Sequence, residues 1–388
     1  MYYLPPRLLS PPRLAQEGLQ MFRFRHAVAS LACALILSAF VSVGCDYKGE
    51  EPVAEKDFAV SSTVKTAIGA AGSTFVAPIM SNWITAYEQS HPSVLVNYRP
   101  IGSGAGLNEL SKNLLGLAAS DAPLNDDQIS KMFPVVQVPV SAGPVCAIYN
   151  LPDVTSPLRL SGSTLAGIFL GNIISWQDPA IERDNPGVKL PHAAIIVVHR
   201  ADGSGTTSIF SSYLAKVNPE WAQKAGQGLS VKWPVGIGEE GSKAVLEFVK
   251  KNPGTIGYAE LNYAKENKLP VASVQNRAGS FVAPTSASAT AAIEAFSDAL
   301  AKDARTPIVD PPASAKDAYP MSGLTFLLVP KDGADADERR AIRDFITYAV
   351  TTGQDSAESL DYAKLPKTLQ QQDLSLLAGL TVGGQPLK

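Results

Sequence analysis

The chain has 388 residues, 45% hydrophobic and 18% charged, enough for two domains with a large core, which excludes wholesale disorder. The formal net charge is -3 and no Lys/Arg block stands out, which excludes binding along a nucleic-acid backbone. A net-negative chain can still take an anion, because local donors decide at contact distance and screening removes the distant field.

From Met21 the sequence reads Met-Phe-Arg-Phe-Arg-His and then runs apolar from Ala27 to Gly44, broken only by Ser30, Ser38 and Ser42. Arg23 and Arg25 form the positive start and 21–44 the body of an export signal. The run ends Val41-Ser42-Val43-Gly44-Cys45, which resembles a bacterial lipoprotein cleavage box, with Ser42 where leucine is commonest. That resemblance implies cleavage before Cys45 and lipid on its sulfur and amine. An uncleaved membrane anchor is the alternative, since the run approaches spanning length. Residues 1–20, with four prolines and no apolar period, fit no export role, so Met21 is an alternative start. Residues 45–65 are polar and charged and read as a tether. Cys33 and Cys45 belong to this N-terminal region, so Cys146 is alone in the body, as a small apolar strand residue. Neither a disulfide framework nor a cysteine zinc site is available.

From about Thr66, strand-like runs alternate with amphipathic helix patterns, the mark of an α/β fold with a largely parallel sheet. Ala67-Ile68 leads into Gly69-Ala70-Ala71-Gly72-Ser73-Thr74 and a helix with Ile79, Trp83 and Tyr87 on one face. Residues 94–98 form the next strand, followed by Gly102-Ser103-Gly104-Ala105-Gly106 and a helix over 107–115. Leu117-Ala118-Ala119 then leads to Ser120-Asp121-Ala122-Pro123. A buried strand over 194–198 empties into His199-Arg200-Ala201-Asp202-Gly203-Ser204-Gly205-Thr206-Thr207 and a helix over about 208–214. The Ala/Ser/Thr-rich stretch 285–292 opens another helix. Strand, Gly/Ser/Thr turn and helix recur, and in such folds ligands sit beyond the carboxyl ends of strands, where helix N-termini suit anions.

Thr74 is a candidate N-cap whose hydroxyl and N–H turn toward a ligand, and Ser103 in its glycine turn poses the same choice between cap and contact. Asp121 places a carboxylate at a strand end, either as a ligand contact or as an ordinary Asx-turn or helix cap before Pro123. Hydrogen phosphate can donate its hydroxyl there, whereas sulfate near neutral pH has no proton to give, and such sites can reject the analogue by about 10⁴–10⁵. Arg200 offers a bidentate grip on an oxyanion, Asp202 is placed to hold it, and Ser204, Gly205 and Thr206 supply donors at a helix start.

These segments, in this order, resemble the periplasmic phosphate-binding protein of bacterial ABC-type phosphate transporters, from about Ala67 to Leu365. Also typical of that family are Ser212-Tyr213-Leu214-Ala215-Lys216-Val217-Asn218, Lys232-Trp233-Pro234, Gly254-Thr255-Ile256-Gly257-Tyr258 and Leu360-Asp361-Tyr362-Ala363. By matching position the resemblance implies phosphate contacts from Thr74, Phe75 (main chain), Ser103, Asp121, Arg200, Ser204, Gly205 and Thr206, with Asp202 orienting Arg200. Ala71 adds a residue to the first glycine turn, and Gly104-Ala105 replaces a more hydroxyl-rich pair, which puts a backbone donor in question. The implied fold is a two-lobed, type II periplasmic-binding-protein α/β fold, each lobe a mainly parallel sheet flanked by helices, with ligand in the cleft. Lobe I is expected over 66–141 plus 319–388 and lobe II over 142–318. The implied role is phosphate capture outside the inner membrane and delivery to permease subunits and their ATPase, by a lipid-anchored monomer needing no cofactor or metal.

Rival patterns are weaker. Gly236-Ile237-Gly238-Glu239-Glu240-Gly241 has dinucleotide spacing after an expected strand over 231–235, yet Glu239 and Glu240 would repel a pyrophosphate. His199 adjoins Arg200 but belongs on the opposite strand face, which leaves a phosphatase without a nucleophile-base pair. The remaining alternatives are binding of sulfate, molybdate or a phosphonate, or an exported phosphatase.

Overall fold

The computed structural model describes residues 64–388. The expected signal 21–44, Cys45, the alternative start and the tether through residue 63 lie outside the described residues. No described helix is long and apolar enough to cross a membrane.

The first strands and helices are β1 (Thr66–Gly72), α1 (Ala77–Ser90), β2 (Val94–Arg99), α2 (Ser103–Ser111), β3 (Leu117–Ser120) and α3 (Asp126–Ser130). The expected stripe on α1 is core: Ile79, Trp83 and Tyr87 are all buried. A long strand β4 (Val135–Tyr149) follows, then β5 (Arg159–Leu160), α4 (Gly162–Leu170), α5 (Pro179–Asp184), β6 (Ile196–Arg200) and α6 (Gly205–Val217). Next come α7 (Pro219–Lys224), β7 (Ile237–Glu239), α8 (Gly241–Lys251), β8 (Thr255–Glu260), α9 (Leu261–Glu266), β9 (Ser273–Gln275) and β10 (Phe281–Val282). The chain closes with α10 (Ser286–Ala295), α11 (Ser297–Lys302), β11 (Ser322–Pro330), β12 (Asp332–Gly333), α12 (Ala336–Val350), α13 (Lys367–Leu377), β13 (Thr381–Val382) and β14 (Gln385–Pro386). Thr285 caps α10 reciprocally with Ser288, which is why the Ala/Ser/Thr stretch starts a helix there.

One eight-stranded sheet runs β2-β1-β3-β11-β4-β8-β6-β7. Its ends are parallel trios, β2-β1-β3 and β8-β6-β7, each built from strand-helix-strand units. Between them β11 and β4 are antiparallel to each other and to both trios. This is the two-lobed α/β arrangement, two parallel cores carried on a shared antiparallel ribbon. The ribbon's register shifts between Thr325 and Phe326, opposite Val140. Helices α10 and α11 place Ala289, Ile293 and Leu300 in one core cluster with Leu110, Leu124 and Leu324. The chain then returns, with Lys216 Nζ donating to the Val309 carbonyl (2.9 Å) and Arg277 paired with Asp310. Four passages therefore link the two ends: β4, residues 283–285, residues 308–310 and β11.

Helix starts differ from the sequence reading in ways that matter for the site. Helix α1 begins at Ala77 and its N-cap is Val76; Thr74 is not the cap. Pro78 in the first turn lacks an N–H to be capped, and the Ser73 hydroxyl accepts from Val76 N instead (3.3 Å). Helices α2 and α6 start four and three residues earlier than periodicity indicates, at Ser103 and Gly205. The added turns carry polar and glycine residues that show no apolar period. No strand forms over 231–235; β7 lies inside the glycine motif itself, so that motif lacks the strand-then-turn context of a dinucleotide site.

Asp373 on α13 is fully buried, and neither carboxylate oxygen has a hydrogen-bond partner. Burial pushes its pKa up to about 8. The folded state thus binds the proton more tightly than the unfolded chain, so Asp373 lowers stability progressively from about pH 4 to pH 8. Asp373→Asn is expected to match the wild type at pH 4 and exceed it by about 2–4 kcal/mol at pH 9. Urea denaturation at the two pH values checks this; equal stability at pH 9 refutes it.

Candidate functional site

The carboxyl ends of β1, β3 and β6 converge where the parallel trios face each other. At the first, Gly72 (φ +140°) brings the chain so close to β3 that a Cβ would sit 2.0 Å from the Ala119 carbonyl oxygen. Only glycine fits, and the turn it makes aims Ser73 and Thr74 toward the next two strand ends.

Asp121 follows β3 and is 5% exposed. Its Oδ1 accepts from Ser73 Oγ (2.7 Å) and Thr325 Oγ1 (2.6 Å), and its Oδ2 from Ser73 Oγ (2.7 Å) and Ser103 Oγ (3.3 Å). Burial pushes its pKa up to about 6, with the Glu260 charge adding to the rise and the three hydroxyls opposing it. Near pH 7 the carboxylate predominates, so Asp121 is an acceptor. A Cβ on Gly205 would lie 2.3 Å from Asp121 Oδ2 and 2.6 Å from Ser103 Oγ. The first turn of α6 therefore presses directly on this carboxylate.

Arg200 is the last residue of β6 and is 2% exposed. One edge of its guanidinium is held by Asp202, Nε to Oδ1 at 2.6 Å and NH2 to Oδ2 at 2.5 Å, as the spacing indicates. Burial alone would lower the Arg200 pKa, but the Asp202 pairing overrides it and the value is raised. The same pairing outweighs burial at Asp202 and lowers its pKa. Asp202 Oδ1 also accepts from Gly241 N (3.1 Å), so the start of α8 is occupied by a side-chain carboxylate where a dinucleotide would need it free. The second edge, NH1, reaches Thr74 Oγ1 (3.2 Å) and Ser242 Oγ (3.0 Å).

Ser204 caps α6, accepting from Thr207 N (3.1 Å), which leaves the N–H groups of the Gly205 and Thr206 turn as unpaired helix-start donors. The Thr206 hydroxyl donates to Glu260 Oε1 (2.6 Å). The Thr74 carbonyl accepts from Tyr263 OH (3.1 Å), which fixes the Thr74–Phe75 peptide that presents the Phe75 N–H. Gly104 N, the donor left in question by the sequence, donates to the Gly203 carbonyl across the facing turns (2.8 Å). Thr74, Phe75, Ser103, Asp121, Arg200, Asp202, Ser204, Gly205 and Thr206 thus form one cluster. His199 points elsewhere: its ring stacks on Trp233 at 4.5 Å, and burial lowers its pKa. No group of three metal-ligating side chains occurs among the described residues.

Sequence reasoning missed Ser73, Thr325, Ser242 and Glu260. Ser73 stood inside the quoted turn, and Glu260 ends the apolar run of β8, a charged residue where the strand's own pattern calls for none. Thr325 gave no signal, because its partner is 204 residues away.

Residues 59–352 match the PBP superfamily domain. The phosphate-binding protein PstS of Xylella fastidiosa is 40% identical over 311 residues, covering 80% of this chain and 84% of that protein. PstS of Pasteurella multocida is 39% identical over 318 residues, covering 81% and 90%. The chain belongs to the PstS family of phosphate-binding proteins. Among solved structures, a high-affinity periplasmic phosphate-binding protein bound with phosphate, PfluDING, matches this PstS-family chain with a TM-score of 0.64 at 22% identity, over 83% of this chain and all of the other. The phosphate-binding protein from Stenotrophomonas maltophilia matches with a TM-score of 0.61 at 18% identity, over 80% and 94%. At these identities the structures bear on fold alone.

Proposed function

We propose that this PstS-family chain binds inorganic phosphate with high affinity between its two lobes and hands it to an ABC importer. The observation that carries the reading is Asp121: a buried carboxylate with Oδ2 turned to the start of α6, in a cluster whose other groups donate, apart from Asp202, which is engaged by Arg200. Such an arrangement accepts an oxyanion that brings its own hydrogen. Thr74, Phe75 N, Ser103, Arg200, Ser204 and the Gly205 and Thr206 N–H groups take the remaining oxygens, with Asp202 holding Arg200. Burying a multiply charged anion requires many neutral dipoles, and two helix starts with these hydroxyls supply them. The chemistry is binding, without catalysis: a phosphatase would need a nucleophile and base, and the His199 ring lies against Trp233.

Lobe I comprises 66–141 with 319–388, and lobe II comprises 142–318 except for α10 and α11 (Ser286–Lys302), which belong with lobe I because they share its core cluster. Closure about the ribbon is the state read by the permease subunits and their ATPase. The chain acts as a monomer in the periplasm or at the cell surface, lipid-anchored through Cys45 after cleavage of 21–44. The test is calorimetric titration with phosphate and with sulfate near pH 7. Tight phosphate binding with sulfate ignored supports the reading; preference for sulfate, or no binding of phosphate, rejects it.

Gly205→Ala gives a separate check. Alanine suits the first turn of a helix, so the ligand-free fold should keep its thermal stability. The added methyl meets Asp121 and Ser103, and phosphate affinity should fall by more than about tenfold because overpacking strains the closed cleft. An unchanged dissociation constant counts against closure at this contact.

A further inference from the structure

Glu260, the last residue of β8, is 1% exposed. Its Oε1 accepts from Thr206 Oγ1 (2.6 Å) and Ser242 Oγ (3.0 Å), while Oε2 is buried with no hydrogen-bond partner in the protein. A buried carboxylate satisfied on one oxygen is costly, and packing alone gives no reason for it. Its connections supply one. Ser242, 2% exposed on the first turn of α8, has a single proton and gives it to Glu260. Its oxygen can then accept from Arg200 NH1 (3.0 Å) and from Thr74 Oγ1 (3.0 Å), the latter reaching over from the turn after β1.

We propose that Glu260, acting through Ser242, is a second positioning carboxylate for Arg200, and that its charge also tempers the hold of the site on its anion. This rests on the phosphate-binding reading above. Asp202 holds one edge of the guanidinium and the Ser242–Glu260 pair the other, so Arg200 cannot swing as the lobes part. The charge has a second effect. Arg200 brings one positive charge into a pocket that already holds the carboxylates of Asp202 and Asp121. A third, buried where screening is weak, opposes an incoming oxyanion and so speeds its release. A delivery protein must let go as well as capture. Thr74–Ser242 adds a contact between the two sides that needs no ligand. Other ionisable groups within electrostatic reach of Glu260 are Cys146, Tyr263 and Tyr362.

The two halves of the proposal have opposite signs. Glu260→Gln keeps the shape and the Oε1 acceptor but removes the charge. Phosphate release measured by stopped flow should slow by about fivefold or more, with the association rate within about twofold of wild type. Ser242→Ala removes the support of Arg200, and release should quicken by about tenfold, while Ser242→Thr restores it. Thermal unfolding without phosphate monitors folding in each. A residue needed only for structure would weaken binding when changed, so Glu260→Gln that releases phosphate faster or at the wild-type rate overturns the proposal. So does Ser242→Ala with wild-type release. Wild-type protein that binds no phosphate at all would instead overturn the functional reading on which this one stands.

Discussion

Replacing Arg200 by alanine is expected to weaken phosphate binding by about 2–4 kcal/mol, roughly 30- to 1,000-fold, the loss typical of a buried charged hydrogen bond. Arg200 is the cation inside the cluster, and it is held in three directions, by Asp202, Ser242 and Thr74. Its rigidity means that little entropy is lost when it grips a ligand. Removing it leaves Asp202 as an unopposed negative charge beside the anion, which adds to the deficit. Arg200→Lys should recover part of the loss, since an ammonium restores charge but cannot bond along two edges. Calorimetry on variants with intact circular dichroism measures both; a loss under about threefold in the alanine variant would show that Arg200 does not touch the ligand.

The second large effect concerns selectivity. Asp121→Asn should bring phosphate and sulfate to within about 100-fold of each other, from a wild-type ratio on the order of 10⁴. The amide keeps an oxygen to accept from Ser73 and Thr325, so the fold should survive. Its NH2 offers hydrogens to an anion that has none. Sulfate gains a donor where it met a lone pair, while phosphate loses its acceptor. Competition titration at pH 7.5 reads the ratio directly, and an undiminished preference for phosphate would remove Asp121 from the selectivity mechanism. Burial also places the Asp121 pKa near 6. Wild-type discrimination should therefore fade below that pH, as the carboxyl gains its own proton and turns donor, while the asparagine variant shows no such trend.

Much of this site was legible because each of its parts is local. The turn Arg200–Thr207 carries its cation, its orienting carboxylate and its helix start within eight neighbouring positions, and the pairing of Arg200 with Asp202 follows from spacing alone. Asp121 was legible as a carboxylate after an apolar strand. Helix starts were less so: the first turns of α2 and α6 consist of glycine, serine, threonine and one alanine, which carry no apolar period, and both helices were read as beginning too late. The cap on α1 was assigned to Thr74, whereas the N-cap is Val76, whose own N–H goes to the Ser73 hydroxyl, because proline in the first turn changes which N–H needs a partner. What could not be read were contacts made by tertiary structure alone. Thr325 reaches Asp121 from β11, and Ser242 reaches Thr74 from a turn first noticed for its glycines. The relation of Glu260 to Thr206 exists only once β8 lies beside β6. The fold class followed from alternation, but the antiparallel ribbon did not, since nothing in an isolated strand tells which neighbour it will take.

That ribbon has a consequence for how the polypeptide matures. Phe326 lies opposite Ser120, and Ser322 opposite Pro144, so the sheet of the first lobe cannot close until the final stretch of sequence has arrived. Pairings between segments so distant along the chain form slowly, because loop closure costs entropy before any contact repays it. The β2-β1-β3 end of the sheet therefore waits for β11, and the chain stays pliable until residues 322–330 have been synthesised.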